Sequence, residues 1–423
     1  MKLDTSSRDS VPVPALVLTG GGARSAYQVG VLKAVSELLA GRKIPFRVIL
    51  GTSGGAVAAA VIAARARRWH RAIVQIERVW AQFHVQQVFR VGGWKMLGSG
   101  LHWTLSLVTG GFLVRPPKSL FDNSPLRRLL QRSVPWNSLH RGVQRGDLDA
   151  LGLCATGYSS SLSVTFFQGR ADLPEWVRRL HMGERCELEL NYLMASLAVP
   201  FLFPPEKLGA EYFGDGAMRQ LSPLSPAIHL GANRLLIIGV RAPQGAGVSP
   251  RNTARPTAPS PGQLFGYALD TLFMDQIYAD LEQLERINRI VREAPHVAPD
   301  AREVSTLLIT PSEDPSAVAL RHISSCPRSL RTLLRVIGAG DSGGAQLASY
   351  LMFESTYTQE LIALGYRDAM ARAGEIRSFL CADSLGQENG AQAQQRSEAD
   401  AVGERRQDDA GGQRGIDLQP AQG

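Results

Sequence analysis

The segment Gly51-Thr52-Ser53-Gly54-Gly55 contains the residue types that a nucleophilic step requires. It has the pattern G-x-S-x-G and lies between the apolar run 46–50 and the Ala/Val-rich stretch 56–64. A sharp turn from a strand into a helix exposes the serine hydroxyl, and the helix directs its N-terminal N–H groups at the reacting centre. The pattern therefore predicts Ser53 as a nucleophile, with Gly51 and Gly55 shaping the turn. The alternative is a turn that only caps the helix.

Three successive glycines, Gly20, Gly21 and Gly22, follow the apolar run 15–19. A dinucleotide-binding loop is disfavoured, because Ser25 stands where the third glycine is expected and the next strand ends without an acidic residue for a ribose. A P-loop is disfavoured as well, because no Gly-Lys-Ser/Thr follows. A third interpretation is an oxyanion hole, since glycines at a helix start let backbone N–H groups point into a small cavity.

The two glycine motifs are expected to lie side by side. Residues 15–50 have the length and the pattern of a strand, helix and strand unit, and consecutive parallel strands end at the same edge of a sheet. This adjacency favours acyl transfer, with an oxyanion hole formed by glycines 20–22 and by Gly54. Arg24 either adds positive charge there or is a surface residue that pairs with a carboxylate.

A serine nucleophile needs a base, and Asp215 is the candidate that the sequence favours. It is flanked by Gly214 and Gly216 in a predicted turn after a strand, behind the small and apolar segment 195–205. Such a carboxylate can approach a backbone-lined site closely, although a turn aspartate that bonds its own backbone is the alternative. None of the eight histidines lies in a strand-end context typical of a triad: His70, His84, His102, His140, His181, His229, His296 and His322.

The three segments Gly20–Ser25, Gly51–Gly55 and Asp215–Ala217, in this order and spacing, resemble the patatin-like phospholipase family of bacterial type. Segment 195–205 resembles the part of that family that precedes its aspartate, and the resemblance covers about 12–245. It implies a three-layer α/β/α sandwich with a mainly parallel central sheet. Two positions depart from the family pattern: Ser25 replaces a closing glycine, and Gly54 replaces another small residue.

The same resemblance implies an activity and its residues. Ser53 would be the nucleophile and Asp215 the general base of a dyad, with a backbone oxyanion hole. The implied enzyme is a lipid acyl hydrolase of the phospholipase A, lysophospholipase or carboxylesterase kind, acting through an acyl-enzyme intermediate without metal or cofactor. A lipid acyltransferase with the same dyad, or a lipid-binding regulator without turnover, are the alternatives.

The chain divides into three predicted parts. The catalytic domain occupies 12–245, a mainly helical C-terminal region occupies 262–380, and the stretch 242–261 is rich in Pro and Gly. In the helical region, 263–294 and 347–372 are each predicted as one helix. The tail 384–423 is predicted to be disordered, because it has too few apolar residues to offset the entropy of ordering it.

Composition narrows the functional classes. The 423 residues are 44% hydrophobic and 20% charged with a net charge of +8, which excludes collagen-like and wholly disordered proteins. Four scattered cysteines favour a reducing, cytoplasmic compartment and give no zinc pattern. No signal peptide is predicted, because the N-terminus lacks an apolar core. Nucleic-acid binding is not expected, and oligomeric state stays open.

Two features bear on membrane contact. Segment 96–114 has no charged residue but is only half apolar, so a transmembrane span is not expected, and its role as core, lid or membrane contact stays open. The arginine runs 65–71 and 127–132 either attract anionic lipid headgroups or form solvated helix faces. The sequence therefore predicts at most a peripheral contact with the inner face of a membrane.

Overall fold

The computed structural model describes residues 12–90, 119–243, 258, 260–271, 276–294, 296–297, 301–336, 338 and 344–381. Residues up to Ile376 belong to one compact unit, and a second unit begins at Arg377. Of the second unit, residues 377–381 are described and are helical. The segment 96–114, most of 242–261 and the tail 384–423 lie outside the described residues.

Ten strands of the described chain form a single sheet. They are β1 Pro14–Leu18, β2 Val48–Thr52, β3 Ala150–Gly157, β4 Ser163–Gly169, β5 Trp176–Val177, β6 His181–Arg185, β7 Glu206–Leu208, β8 Glu211–Asp215, β9 Arg234–Ile238 and β10 Ser305–Ile309. Their order is β10-β9-β1-β2-β3-β4-β6-β5, and β8 pairs with both β3 and β7. Strands β10 to β3 along this order are parallel, so the sheet is mostly parallel, as predicted.

Helices cover the sheet and give the predicted three-layer α/β/α sandwich. They are α1 Ala26–Leu38, α2 Gly54–Ala64, α3 Trp69–Ala81, α4 Val85–Val88, α5 Ser124–Ser133, α6 Trp136–Gln144, α7 Leu190–Ser196, α8 Ser225–His229, α9 Pro261–Asp270, α10 Gln276–Glu293, α11 Pro315–His322, α12 Arg328–Val336, α13 Ala345–Leu351 and α14 Ser355–Ala371. No helix in the described part of the chain combines the length and the apolar character needed to cross a membrane.

One helix predicted as continuous, 347–372, is interrupted, and the neighbouring helices α2 and α3 are also separate. A short 3-10 turn separates α2 from α3, because α2 is apolar all round and buried whereas α3 is amphipathic and must present one face to the core. Residues 352–354 separate α13 from α14, and there the Glu354 carboxylate accepts a hydrogen bond from the backbone N–H of Val85. The predicted helix 263–294 is observed as α9 and α10.

The predicted C-terminal region shares its packing with the N-terminal strands and helices. Strand β10 extends the sheet next to β9, which in turn pairs with β1. Helices α1 and α14 cross at two glycines, since a Cβ added to Gly30 would lie 2.0 Å from the carbonyl oxygen of Ile362. Gly365 in α14 approaches the Tyr27 carbonyl equally closely, at 2.1 Å. The described residues of 262–376 are therefore part of the same sandwich.

Candidate active site

Ser53 occupies a strained turn between β2 and α2. Its backbone has φ 51° and ψ −128°, a left-handed conformation that costs a non-glycine residue about 1–3 kcal/mol. The turn is tight on both sides. A Cβ on Gly51 would lie 2.5 Å from the Ala56 Cα, and one on Gly55 would lie 2.6 Å from the Leu18 carbonyl oxygen. The strand, sharp turn and helix predicted from the G-x-S-x-G pattern are thus present.

The sheet register brings Asp215 to Ser53. Strand β2 ends at Thr52, which pairs with Cys154 of β3, and β8 ends at Asp215, which pairs with the next residue, Ala155. Because β4 occupies the opposite edge of β3 at this position, β8 must lie on the edge that β2 also uses. The two strands approach from opposite directions, and their last residues meet.

The Asp215 carboxyl group is buried and only half satisfied. Oδ1 accepts a hydrogen bond of 2.9 Å from the Ala217 N–H, as the turn interpretation expects, whereas Oδ2 accepts none from the residues described. Burial raises the pKa of Asp215 to about 7, and the Ser53 hydroxyl and the Ala217 N–H partly oppose this shift. Asp215 is therefore a carboxyl group that changes its charge near neutral pH and faces the Ser53 side chain.

The segment that precedes Asp215 holds both residues in place. The buried hydroxyl of Ser196 accepts a hydrogen bond of 3.0 Å from the Ser53 N–H, and the Ala198 carbonyl accepts one of 2.9 Å from the Asp215 N–H. Thr156 adds a third constraint, since its hydroxyl donates to the Asp215 carbonyl. Ser196 was not among the residues predicted for the site. The only signal was its position inside segment 195–205.

The glycine loop lies against the Ser53 turn. A Cβ on Gly54 would be 3.1 Å from the backbone nitrogen of Gly22, which itself has φ 52°. Neither of these two N–H groups donates to an acceptor within the described residues. Gly21 packs on the Val240 side chain, and Gly20 lines a separate small cavity. The structure thus brings Gly22 and Gly54 to Ser53 more directly than Gly20 and Gly21.

The two departures from the family pattern face each other. Ser25 has a buried hydroxyl without a hydrogen-bond partner in the described structure, and this oxygen would lie 2.4 Å from a Cβ placed on Gly54. A side chain at position 54 would therefore collide with Ser25. The serine at one position is compatible with a glycine at the other.

Arg24 is fully buried, so the surface position given as one alternative is wrong, whereas the pairing with a carboxylate that it included is observed. Its guanidinium group pairs with Asp270 at 2.7 Å and donates to the hydroxyls of Ser316 at 2.8 Å and Ser349 at 2.7 Å. It also lies 4.0 Å from the ring centre of Tyr350. All of these partners lie in the C-terminal region, and Asp270 is the carboxylate that the sequence could not locate. A direct charge contribution to an oxyanion stays a prediction.

A small apolar cavity of about 70 Å³ opens beside Ser53. Gly22, Ser53 and Gly54 contribute to its wall, and the remaining lining is almost entirely aliphatic and aromatic, from α2, α3, α5 and the segment 197–203. No histidine of the described chain lines this cavity. The arrangement can therefore place an apolar chain next to a serine hydroxyl, a carboxyl group and two unbonded N–H groups.

A family model and several solved structures are similar to this chain. The family model for patatin-like phospholipase matches residues 16–228. Among solved structures, VipD from Legionella pneumophila is 12% identical with a TM-score of 0.32, covering 84% of this chain and 67% of VipD. Human GIVD cytosolic phospholipase A2 is 12% identical with a TM-score of 0.40, covering 88% of this chain and 60% of that one.

The chain thus spans about 60% of the length of the human phospholipase. No curated protein matches it. The family model covers half of the chain and includes Gly20–Gly22, Ser53 and Asp215. The chain belongs to the patatin-like phospholipase family.

Proposed function

We propose that this protein is a lipid acyl hydrolase that uses a Ser53–Asp215 dyad. Family membership supports lipid hydrolysis in general. The finer assignment depends on one observation: a serine in a strained strand-to-helix turn faces a buried carboxyl group whose pKa is about 7. A carboxylate of ordinary pKa, near 3.9, is too weak a base to accept a serine proton efficiently at neutral pH.

In the proposed first half-reaction, the Ser53 oxygen attacks the ester carbonyl carbon while Oδ2 of Asp215 accepts the hydroxyl proton. The negative charge that develops on the carbonyl oxygen is stabilised by the N–H groups of Gly22 and Gly54 and by the N-terminal end of α2. When the tetrahedral intermediate collapses, Asp215 returns the proton to the departing alcohol. Ser53 is left as an acyl ester.

The second half-reaction repeats these steps with water. Asp215 accepts a proton from the water molecule as the water oxygen attacks the acyl carbon. Asp215 then returns this proton to the Ser53 oxygen when the fatty acid leaves. The hydrogen bond from the Ser53 N–H to Ser196 supports the mechanism, because it holds the turn without occupying the Gly54 N–H. No step in this sequence requires a metal or an organic cofactor.

The substrate is proposed to be a phospholipid or another lipid ester with an unbranched acyl chain. The cavity beside Ser53 is small and almost wholly apolar, so it suits an unbranched hydrocarbon chain better than a bulky ringed or polar ligand. We propose a peripheral contact with the lipid surface. Phe201 is 69% exposed, and its near neighbours Val199 and Phe203 line the cavity. An exposed aromatic residue at this position can enter the interfacial region of a bilayer.

Labelling with a fluorophosphonate probe tests the proposal. The wild type should be labelled, Ser53→Ala should not, and Asp215→Asn should be labelled at least a hundredfold more slowly because the serine has lost its base. Ser324→Ala is the matched control, since Ser324 is exposed on the surface and should leave labelling unchanged. Labelling that persists in Ser53→Ala would exclude Ser53 as the nucleophile.

Product analysis then separates hydrolysis from acyl transfer. The wild type is incubated with a phospholipid in the presence and absence of a glyceride acceptor. Free fatty acid as the main product in both reactions supports the hydrolase, whereas acylated glyceride as the main product identifies an acyltransferase with the same residues.

A further inference from the structure

A second cavity, of about 700 Å³, lies at the far end of α2 from Ser53. We call it the arginine cavity, because five guanidinium groups line it: Arg65, Arg67, Arg68, Arg71 and Arg145. It adjoins the apolar cavity, since Gln75 contributes to the wall of both. Its one acidic lining residue, Asp147, already pairs with Arg145.

The other four arginines have no carboxylate partner in the described chain. Arg67, Arg68 and Arg71 are exposed, and none of them forms an ion pair there. Arg65 is partly buried and donates its hydrogen bond to a neutral group, the carbonyl oxygen of Ser133. Burial without a negative neighbour lowers the pKa of Arg65. The cavity therefore concentrates positive charge that the described part of the chain does not neutralise.

The backbone contributes partial charges of both signs, because the C-terminal residues of α2, Ala63 and Ala64, line the cavity together with residues at the start of α3. Helix α3 begins at Trp69, directly after Arg67 and Arg68, and its first turn contains neither an acidic residue nor a side-chain cap. A helix N-terminus carries a partial positive charge and unpaired N–H groups that favour anions. Planar guanidinium groups beside it match the geometry of a phosphate group.

The distance from Ser53 decides which lipid the arginine cavity could hold. Helix α2 contains 11 residues and separates the two sites by about 16 Å, at about 1.5 Å per residue. In a glycerophospholipid only the few bonds of the glycerol backbone separate the phosphate from the ester carbonyl. A lipid with its ester at Ser53 therefore cannot place its own phosphate in the arginine cavity.

We propose that the arginine cavity binds the phosphate group of a second, anionic phospholipid, distinct from the lipid being hydrolysed. The inference deepens the proposed function and rests on it, because it adds a surface contact to an enzyme that acts on lipid. Val74, which is 54% exposed, follows Arg71 by three residues and so lies on the same side of α3. An apolar side chain beside the arginines favours a lipid over a free phosphate ion.

Vesicle binding tests this proposal in the Ser53→Ala background, so that no substrate is consumed. The variant Arg67→Gln/Arg68→Gln/Arg71→Gln removes three charges from the cavity and keeps Arg65, which has a structural hydrogen bond. The matched control, Arg286→Gln/Arg289→Gln/Arg335→Gln, removes three exposed charges elsewhere. Binding is measured by co-sedimentation with phosphatidylcholine vesicles, with and without phosphatidylglycerol.

We expect the cavity variant to bind anionic vesicles at least tenfold more weakly than the parent, and the control to bind within about twofold of it, because each basic residue at a membrane surface contributes up to about 1 kcal/mol. Equal loss of vesicle binding in both variants would show that only the general positive charge matters and would overturn the proposal, as would no loss of binding in either variant.

In a second arm, inorganic phosphate is titrated while the melting temperature is followed. A phosphate-dependent rise that the cavity variant lacks, without any vesicle preference, would assign the site to free phosphate and overturn the lipid assignment.

The two proposals can fail independently. Vesicle binding by Ser53→Ala tests the arginine cavity without any catalysis, whereas fluorophosphonate labelling tests the Ser53–Asp215 dyad without any vesicle.

Discussion

The titration of Asp215 gives a prediction that connects stability with the proposed chemistry. Burial raises the pKa of its carboxyl group from 3.8 to about 7, so folding favours the protonated form. The stabilising contribution is complete below about pH 4, where the carboxyl is protonated in both states, and it is lost progressively as the pH rises to about 7. A shift of about 3 pKa units corresponds to about 4 kcal/mol.

The replacement Asp215→Asn removes this dependence, because the amide does not titrate. We expect the variant to gain stability relative to the wild type by about 1.4 kcal/mol per pH unit between about pH 5 and pH 7, and no further above pH 7. Urea unfolding of both proteins across this range measures the difference directly. Asp172→Asn is the matched control, since Asp172 is exposed beside Arg170 and burial has no comparable effect on it.

The same group should set the pH dependence of activity. Only the carboxylate can accept a proton, so kcat/KM for a soluble ester should rise with pH as one proton is lost with a pKa of about 7. A stability difference between Asp215→Asn and wild type that is constant from pH 5 to 8 would refute the reasoning. So would an activity profile without a group near neutral pH.

Three further predictions concern the surrounding structure. Ser53→Gly should be more stable than Ser53→Ala by about 1 kcal/mol, and so have a higher melting temperature, because glycine tolerates φ 51°. Equal melting temperatures would argue against backbone strain. Asp270→Asn should destabilise the protein by about 3 kcal/mol, because it leaves Arg24 without its counter-charge. The double variant Arg24→Met/Asp270→Leu should recover most of this lost stability. Urea unfolding measures both effects, and an unchanged stability of Asp270→Asn would contradict the expectation. Val61→Phe should narrow the apolar cavity and lower kcat/KM for dodecanoyl esters at least tenfold more than for butanoyl esters, whereas the exposed Val74→Phe should not change this ratio.

Local patterns were enough to predict the two strand ends that meet at the candidate site. The pattern G-x-S-x-G has its meaning only after a strand and before a helix, and both neighbours were visible in the apolar runs 46–50 and 56–64. The turn after β8 was visible because glycines flank Asp215 on both sides. The residues alone did not show that β8 and β2 pair with the same edge of β3, end to end. This arrangement depends on the register between strands that are distant in the sequence.

Contacts across long sequence separations explain the remaining misses. Arg24 was expected either at the site or on the surface, yet its carboxylate partner lies 246 residues later, within a stretch predicted as an uninterrupted helix. Nothing near Asp270 in the sequence marks it as a buried counter-charge. Ser196 was missed for a similar reason, because a serine at the end of a short helix is ordinary until the backbone N–H that it satisfies is known.

The placement of β1 has a consequence for the order in which the chain can fold. Its two neighbours in the sheet are β2, which follows soon after, and β9, which begins at residue 234. The guanidinium group of Arg24, just beyond β1, finds its last partner at Tyr350. During synthesis the glycine loop therefore stays without its full set of supporting contacts until about residue 350 has been made. Such distant pairings slow folding and keep the nascent chain's sheet edge open. The proposed lipid-cleaving site would therefore become active only after synthesis has passed about residue 350.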